Sequence, residues 1–293
     1  MIIISMGAGL GNQMFEYAFY LRLKHLYPDR LIKVDTKYAF PYAHNGIELF
    51  DLFSLHPMVA TKEEVLKLAS RHVLNGDEFQ EKGIVSKVIR YFRLFSNTML
   101  VQRDYSEYYP KFLQLEENKS FYLFGPFANY RYFREIEDVV KETYLFPEIT
   151  DKKNLDYRAQ IENSNSVSIH IRKGDYVKEG VKLASKEFYE EAMDYLENTE
   201  DNLCYFIFTD DKEYARELFL DKSNCIIIDG NEGINSFRDM QLMSICKHNI
   251  TANSTFSFWG AYLNNNPDKI VIAPNLPFTG MKNPFVCDDW VLL

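Results

Sequence analysis

The sequence predicts an α/β protein built on parallel sheets, because apolar strands and helical segments alternate along most of its 293 residues. The chain opens with the strand MIIIS, the glycine loop GAGLGN, the helical stretch QMFEYAFYLRLKHLY and a second strand, LIKVDT. From residue 167 to residue 275 the alternation is regular, with helical stretches between the strands VSIHIR, CYFIFT, CIIID, NITAN and KIVIAPN. Parallel strands are joined by helical crossovers, so this order predicts sheets covered by helices on both faces.

The composition limits the class of partner. Apolar residues make up 46% and charged residues 26% of the chain, as in a soluble globular protein. The formal net charge of −9 argues against nucleic acid or an anionic membrane as the main partner, so an anionic ligand must be held by local groups. No stretch approaches the roughly 18 apolar residues of a membrane span, and the first strand is too short for a secretory signal. We expect a cytoplasmic protein, and we leave open both its oligomeric state and a peripheral association with the inner face of the membrane.

A change of pattern in the middle of the chain predicts two domains. Residues 61–70, 82–95 and 130–143 are expected to be helical, and most of the aromatic residues between 92 and 133 are expected to pack in a core, with a minority free to line a sugar groove. The polar stretch DKKNLDYRAQIENSNS that follows is the best candidate for a hinge. We therefore predict an N-terminal domain over residues 1–155 and a C-terminal domain over residues 156–293.

The segment VSIHIRKGDYV, residues 167–177, carries the densest group of functional residue types. Its alternating pattern is typical of a half-buried strand and places His170 and Arg172 on one face, about 6.5 Å apart. Asp175 follows just beyond the strand. An imidazole, a guanidinium and a carboxylate at the carboxyl end of a strand favour capture of a phosphate-bearing ligand. The alternative is a buried histidine, a surface arginine and a helix-capping aspartate.

The glycine loop near the start suits the close approach of a phosphate, because it lies between a strand and a helix. The dinucleotide-binding fingerprint fails, however, since Asn12 stands where its third glycine is required, and no GK[ST] follows to form a P-loop. An oxidoreductase or an NTPase is therefore disfavoured. Asn12 and Gln13 direct polar amides toward the open side of the loop, and the alternative for Asn12 is a helix cap.

Two later segments end strands with polar groups. CYFIFTDD ends in Asp210 and Asp211, whose carboxylates suit hydrogen bonds from a base or a ribose, unless Thr209 or Asp210 caps the next helix. The stretch offers too few oxygen ligands for a divalent ion. In NSTFSFWG, hydroxyls and backbone N–H groups at a helix N-terminus form an anion site, although Ser and Thr are also the usual caps there.

Together these segments resemble the alpha-1,2-fucosyltransferases of glycosyltransferase family 11. The resemblance begins at GAGLGNQMFEYAF and resumes at YRYFREIED, NSVSIHIRKGDYV, FIFTDD and SFRDMQLMSICKHNITANSTFSFWGAYLNNNPDKIVIAPN. It implies a GT-B-like fold, two Rossmann-like domains facing across a cleft, with the acceptor side in the N-terminal domain and GDP-fucose in the C-terminal domain. The chain departs from the family at Lys173, where a second arginine is usual, and at Phe258, which replaces a tryptophan.

The resemblance also implies roles for individual residues. Arg172 corresponds to the arginine on the β-phosphate and leaving group, His170 to a histidine near the nucleotide, and Asp210 to an acid implicated in guanine recognition. The predicted catalytic residues are Arg172, Asp175 and Asn12, with Asp175 as the candidate base unless it holds Arg172, caps a helix, or no dedicated base is used. The predicted donor-binding residues are His170, Arg172, Lys173, Asp210, Asp211, Ser254, Thr255, Phe256, Ser257, Gly11 and Gln13.

The implied activity is inverting transfer of L-fucose from GDP-fucose to the 2-hydroxyl of a terminal β-galactoside in a glycan. The expected partners are GDP-fucose and a galactose-terminated oligosaccharide, with no nucleic acid. We expect no cofactor and no metal, because Arg172 and a helix N-terminus at Ser254 can neutralise the leaving phosphate. The alternatives are another GDP-fucose-dependent transferase with a different linkage or acceptor, and a non-catalytic sugar-nucleotide-binding protein.

Overall fold

The computed structural model describes residues 1–38, 45–69, 98–102, 107–174, 182–276 and 283–293. Within these residues the chain forms two compact units, Met1–Leu145 and Phe146–Leu293. Each unit has its own parallel sheet with helices packed on it, which confirms the two predicted Rossmann-like α/β domains. None of the described helices is both long enough and apolar enough to cross a bilayer.

The first unit is a four-stranded parallel sheet in the order β2-β1-β4-β3. Its strands are β1 (Ile2–Ser5), β2 (Ile32–Asp35), β3 (Met99–Val101) and β4 (Phe121–Phe124). Its described helices are α1 (Leu10–Leu26), α2 (Leu49–Leu52), α3 (Lys62–Leu68) and α4 (Glu137–Thr143). Helix α1 connects β1 to β2 and is buried on nearly every side, which explains the apolar and aromatic character of its sequence.

The second unit is a six-stranded parallel sheet of described strands in the order β10-β9-β8-β5-β6-β7. The strands are β5 (Asn165–Ile171), β6 (Leu203–Thr209), β7 (Cys225–Ile227), β8 (His248–Ile250), β9 (Val271–Ala273) and β10 (Val291–Leu292). The helices are α5 (Lys152–Glu162), α6 (Lys186–Glu197), α7 (Lys212–Leu218), α8 (Phe237–Ser244) and α9 (Thr255–Tyr262). Counted within this unit, the order is 3-2-1-4-5-6, the doubly wound order, so the chain reverses direction across the sheet between β5 and β8.

Strand β5 is buried on both faces, whereas the alternation of its residues predicted a half-buried strand. Val167, Ile169 and Ile171 face one apolar cluster. The intervening polar residues are buried too: Ser168 accepts a hydrogen bond from Asn249 at 2.7 Å. The alternation of apolar and polar residues therefore does mark a strand, as predicted. The polar side chains of that strand, however, face a hydrogen-bonded interior instead of water.

The polar stretch proposed as a hinge forms helix α5 over most of its length. Asp151 caps this helix by accepting the N–H of Asn154 at 2.9 Å. Ion pairs one turn apart, such as Lys152 with Asp156 at 2.7 Å, line its exposed side. The structure divides the chain between Leu145 and Phe146, ahead of this helix, and the predicted boundary at residues 155 and 156 falls inside it.

Most aromatic residues of the middle segment that the structure describes pack in the core of the first unit, as predicted. Those that are nearly inaccessible to solvent are Phe112, Phe121, Tyr122, Phe127, Tyr132 and Phe133. The helix predicted over residues 130–143 is interrupted: two single turns precede α4, which begins only at Glu137. The helix predicted over residues 82–95 lies outside the described residues.

Candidate functional site

The carboxyl ends of β5 and β8 lie side by side where the sheet of the second unit reverses. Ile169 pairs with Ile250 in the parallel register, so the residues that follow each strand emerge next to one another. Open α/β sheets bind ligands at this position, beyond the carboxyl ends of the strands. His170 and Arg172 come from the β5 side, and Ser254 comes from the β8 side.

Two ion pairs join the end of β5 to the end of β6. Arg172 lies 3.0 Å from Asp210, and Lys173 lies 3.0 Å from Asp211. All four side chains are partly exposed, at 25–31%. The Lys173 ammonium also lies 4.1 Å from the centre of the Tyr214 ring, in cation–π contact. The structure thus brings together four of the predicted donor-binding residues at one corner of the sheet.

Asp210 contacts the backbone as well as the guanidinium. One carboxylate oxygen accepts the N–H of Lys173 at 2.9 Å, while the other faces Arg172. A Cβ placed on Gly174 would approach that second oxygen to 2.9 Å, so a larger residue there would push the carboxylate away from its present position. Asp210 therefore fixes both the Arg172 side chain and the turn after β5.

Asp211, and neither Thr209 nor Asp210, is the cap of helix α7. Its carboxylate accepts the N–H of Tyr214 at 3.0 Å, and the Thr209 hydroxyl accepts the N–H of Asp211 at 3.0 Å. The hydrogen bond from Tyr214, and then the one from Lys173, hold the pKa of the Asp211 carboxyl below its usual range. The alternative that this segment caps the next helix is therefore correct, but the capping residue is Asp211 and not Thr209 or Asp210.

His170 is buried beneath this corner of the sheet. Its exposed fraction is 5%, and burial, followed by the nearby charge of Arg172, lowers its pKa to about 3. The imidazole is therefore neutral at physiological pH. Its Nδ1 has no hydrogen-bond partner among the described residues, and its ring lies 5.8 Å from that of Phe256 in the first turn of α9.

The N-terminus of helix α9 supplies the β8 side of the site. Ser254 is its cap, accepting the N–H of Phe256 at 3.3 Å, and Thr255 and Phe256 are only partly buried. The Ser257 hydroxyl is buried and bonds to the backbone of Ala252 in both directions, at 3.2 and 3.3 Å. Ser257 thus holds the loop after β8, whereas Ser254 and Thr255 lie at the helix end, where backbone N–H groups attract anions.

The predicted residues of the first unit surround the start of α1. Gly9 is the N-cap residue, so the helix-capping alternative for Asn12 is wrong: Asn12 lies inside the first turn, half-buried, and Gly11 is buried. Gln13 is fully buried, and its amide makes four hydrogen bonds to backbone groups of the loops around it. These contacts give Gln13 a structural role, and its proposed contact with the donor stays a prediction.

The candidate base Asp175 lies outside the described residues. Among the residues that the structure does describe, no group of three or more His, Cys, Asp and Glu side chains is arranged to hold a metal ion. Asp210 and Asp211, the adjacent acids that a metal site would use, instead pair with Arg172 and Lys173.

A comparison of the sequence with models of protein families supports the resemblance drawn from the sequence motifs. The model of Glycosyl transferase family 11 matches residues 1–291, almost the whole chain. The chain belongs to glycosyl transferase family 11. It is therefore a glycosyltransferase, and the segments on which the resemblance was based lie in both units of this family 11 protein.

Curated relatives of this family 11 protein include bacterial and animal enzymes. The O-antigen biosynthesis glycosyltransferase WbnK of Escherichia coli is 28% identical over 98% of this chain and 99% of its own. An alpha-1,2-colitosyltransferase of Escherichia coli is 32% identical over 93% of this chain and 91% of its own. The galactoside 2-alpha-L-fucosyltransferase Sec1 of Mus musculus is 27% identical, but over only 44% of this chain and 38% of its own.

No expectation was drawn from the sequence for two acids of this family 11 protein, the buried Glu16 and the partly buried Asp239. Glu16 is 1% exposed in α1 and accepts the N–H of Gly7, at the glycine loop, at 2.8 Å. Burial raises the pKa of the Glu16 carboxyl well above its usual range. Asp239, in the first turn of α8, accepts a hydrogen bond from Asn231 at 2.7 Å, and burial raises its pKa to about 7. An acid within an apolar and aromatic helical stretch was the available signal for Glu16, whereas α8 also contains an arginine and a glutamine and gave no such signal for Asp239.

Proposed function

We propose that this protein transfers L-fucose from GDP-fucose to the 2-hydroxyl of a terminal β-galactoside, with inversion at the anomeric carbon. The observation that carries the proposal is that Arg172 and the N-terminus of α9 follow two neighbouring strands, β5 and β8, at the reversal point of the second sheet. A guanidinium and a set of backbone N–H groups on adjacent strands form a site suited to a diphosphate. The family membership supplies the reaction class, glycosyl transfer.

In the proposed reaction an acceptor hydroxyl oxygen attacks the anomeric carbon of the donor sugar. The bond from that carbon to the phosphate oxygen breaks, its electron pair leaves with GDP, and the hydroxyl proton passes to a base, for which Asp175 is our candidate. Negative charge then grows on the leaving phosphate. Arg172 and the N–H groups at Ser254 and Thr255 would stabilise that charge, and fixed donors of this kind are often the largest contribution to catalysis.

Neutral His170 suits the same proposal. A buried imidazole with an unused nitrogen can accept or donate one hydrogen bond without adding charge beside the phosphates. An imidazolium in that place would compete with Arg172 through repulsion between like charges. We therefore propose His170 as a neutral neighbour of the bound nucleotide, and Lys173 and Asp211 as the pair that keeps the local charge balanced.

The 2-hydroxyl as acceptor and the α-1,2 linkage rest on the relatives. Two of them, the colitosyltransferase and the mouse fucosyltransferase, carry this linkage or position in their names. The decisive test is a GDP-release assay with GDP-fucose against a panel of galactosides, followed by determination of the product linkage by NMR. A product linked at another hydroxyl would support the alternative of a different linkage, and GDP binding without any transfer would support the non-catalytic alternative.

The donor has a second candidate, GDP-colitose. The colitosyltransferase is similar over 93% of this chain, whereas the fucosyltransferase matches 44% of it. Colitose is L-fucose without its 3-hydroxyl, so the two donors differ by one polar group. Measuring kcat/KM for both donors with one acceptor separates them, because a site that binds the 3-hydroxyl discriminates strongly against a donor lacking it.

Independence from metal ions is part of the proposal. Arg172 and the α9 N-terminus would take the place of a divalent cation at the leaving diphosphate. Transfer in the presence of EDTA should equal transfer without it. A loss of activity in EDTA that Mg²⁺ or Mn²⁺ restores would contradict this part of the proposal and leave the reaction class untouched.

A further inference from the structure

Both oxygens of the Asp210 carboxylate are engaged by the residues that follow β5. One oxygen lies 3.0 Å from the Arg172 guanidinium, and the other accepts the N–H of Lys173 at 2.9 Å. The backbone at Gly174 approaches the same carboxylate so closely that a Cβ there would come within 2.9 Å. Asp210 is thus held against the β5 turn by one ion pair and one hydrogen bond, beside a glycine that leaves room for its carboxylate.

We infer that Asp210 is a positioning residue for Arg172, and not a group that reads the nucleotide base. The inference rests on the proposed function, in which Arg172 contacts the leaving diphosphate. An arginine side chain samples many rotamers when it is free, and a fixed carboxylate partner restricts them before the ligand arrives. A base-reading acid instead needs its acceptor oxygens directed at the ligand, whereas both oxygens of Asp210 are directed at its own protein.

The charge of Asp210 predicts which kinetic constant it affects. A carboxylate beside a bound diphosphate repels it, so Asp210 opposes donor binding while it orders the guanidinium. These two effects on affinity have opposite signs and partly cancel. The benefit of an ordered guanidinium is greatest when charge has moved onto the leaving phosphate, so it is expected in kcat.

The first test is Asp210→Asn, which keeps the size of the side chain and an acceptor for the Lys173 N–H but removes the charge. We expect kcat at saturating donor to fall about tenfold or more, with the Kd of GDP changed by less than about threefold. Binding of guanosine, which lacks phosphates, should not change. Asp156→Asn, which breaks an exposed ion pair with Lys152 on helix α5, is the matched control and should leave kcat and both affinities unchanged.

The second test uses the Arg172→Ala background, where only the repulsive effect of Asp210 remains. Adding Asp210→Asn there should tighten GDP binding, by about threefold or more, because it removes a negative charge that no longer has Arg172 as its partner. A base-reading Asp210 predicts weaker GDP binding from the same substitution in both backgrounds. The sign of the effect therefore decides between the two roles.

A third variant perturbs the contact without changing any charge. Gly174→Ala places a methyl group against the carboxylate, and we expect kcat to fall with little change in GDP affinity. If Asp210→Asn does not yield folded protein by circular dichroism and thermal melting, Asp210→Ser, which is smaller and fits beside Gly174, takes its place in each measurement.

The outcomes separate this inference from the proposed function. Equal weakening of GDP and guanosine binding by Asp210→Asn, with kcat retained, overturns the positioning role and makes Asp210 a base reader. An unchanged kcat in Asp210→Asn also overturns it. In both cases transfer by the wild-type protein still supports the proposed function, whereas a wild-type protein that binds no GDP overturns the proposed function and this inference together.

Discussion

Arg172 is the residue on which the proposed chemistry depends most directly. It lies one residue beyond β5, is 30% exposed, and pairs with Asp210 at the reversal point of the sheet. We predict that Arg172→Ala lowers kcat for transfer by about a hundredfold or more, since a charged hydrogen bond contributes roughly 1.5–3 kcal/mol and the transition state uses it more than the ground state does. GDP release with GDP-fucose as donor measures the effect.

The melting temperature of Arg172→Ala is the control, because it shows whether the variant keeps its fold. Arg172 is partly exposed and lies outside the apolar clusters, so the melting temperature of Arg172→Ala should stay close to that of the wild type. Full activity in the variant would remove Arg172 from the proposed mechanism. Loss of activity together with a large fall in melting temperature would instead indicate a structural role.

His170 makes the stability of the protein depend on pH. Its pKa in the folded state is about 3, because of burial and then Arg172, and lies below the ordinary value of 6.5. Between these values the unfolded chain binds a proton that the folded protein does not. Stability from this group is therefore complete above about pH 6.5 and falls by about 1.4 kcal/mol for each pH unit below it.

Asp239 acts in the opposite direction over nearly the same range. Its pKa in the folded state is about 7, above the ordinary 3.8, because of burial. The folded protein then holds a proton that the unfolded chain has lost, so the contribution of Asp239 is present at low pH and is lost as the pH rises toward 7. The pH-dependent contributions of His170 and Asp239 to stability partly cancel in the wild type. Substituting one of these residues therefore exposes the contribution of the other.

We predict opposite changes of slope in urea unfolding measured from about pH 7 down to about pH 4.5. Relative to wild type, His170→Gln should gain stability as the pH falls, and Asp239→Asn should lose it. Only the slope matters, because either substitution also shifts stability by a constant amount. Parallel curves for wild type and His170→Gln would show that the imidazole is not held neutral.

At the scale of elements, Gln13 connects the start of α1 to two loops. Its amide donates to the carbonyls of Ala8 and Gly46 and accepts the N–H groups of Glu48 and Leu49, at the start of α2. Ala8 has a φ of 58°, a left-handed conformation that is unfavourable for alanine, so the loop before α1 depends on such contacts.

We predict that Gln13→Ala lowers the free energy of unfolding by about 3 kcal/mol, because buried backbone groups lose their partners and a cavity forms. Urea unfolding followed by circular dichroism measures this. The matched control is Gln160→Ala on the exposed side of α5, which should change stability by less than about 0.5 kcal/mol. Weaker GDP binding without any loss of stability in Gln13→Ala would show instead that Gln13 is a ligand-binding group.

The elements that the sequence predicted best are those with strong local patterns. The glycine loop between β1 and α1, the alternation in β5 and the helical stretch that forms α6 all have causes within a few neighbouring residues. Helix α5 was mistaken for a hinge because its stability comes from a cap and ion pairs, while only Asn154 and Ile161 are buried. Strands β3 and β4 were not predicted, since their residues lie in an aromatic-rich stretch without a clear period.

The candidate site was predictable in its residue types but not in its pairings. The positions of Arg172, Asp210 and Ser254 at strand ends follow from local pattern and from the parallel order of strands. The pairing of Arg172 with Asp210 depends on the register of β5 against β6, in which Ile171 lies opposite Thr209. The burial of His170 depends on α9 packing over the end of β5. Both features depend on contacts between residues that are distant in the sequence, so no local sequence pattern predicts them.

At the scale of the whole molecule, a protein of net charge −9 is proposed to bind an anionic nucleotide. Among the residues that the structure describes at the site, the cations Arg172 and Lys173 are each paired with an aspartate, so they do not reverse this field. Attraction for GDP is therefore confined to short-range contacts, while the long-range field of the protein repels it. Salt screens the long-range part first, since the Debye length falls to about 10 Å at an ionic strength of 0.1 M.

We therefore predict that the association rate constant of GDP stays level or rises, by up to about twofold, as ionic strength increases from about 0.02 M to about 0.2 M. Proteins that attract phosphates by a basic surface show the opposite trend. Stopped-flow measurements with a fluorescent GDP analogue test this, with a fluorescent guanosine analogue as the uncharged control. A rate constant that falls steeply with salt for GDP alone would show that a positive field surrounds the site, and the local pairing of Arg172 and Lys173 would then not describe the electrostatics that guide the donor.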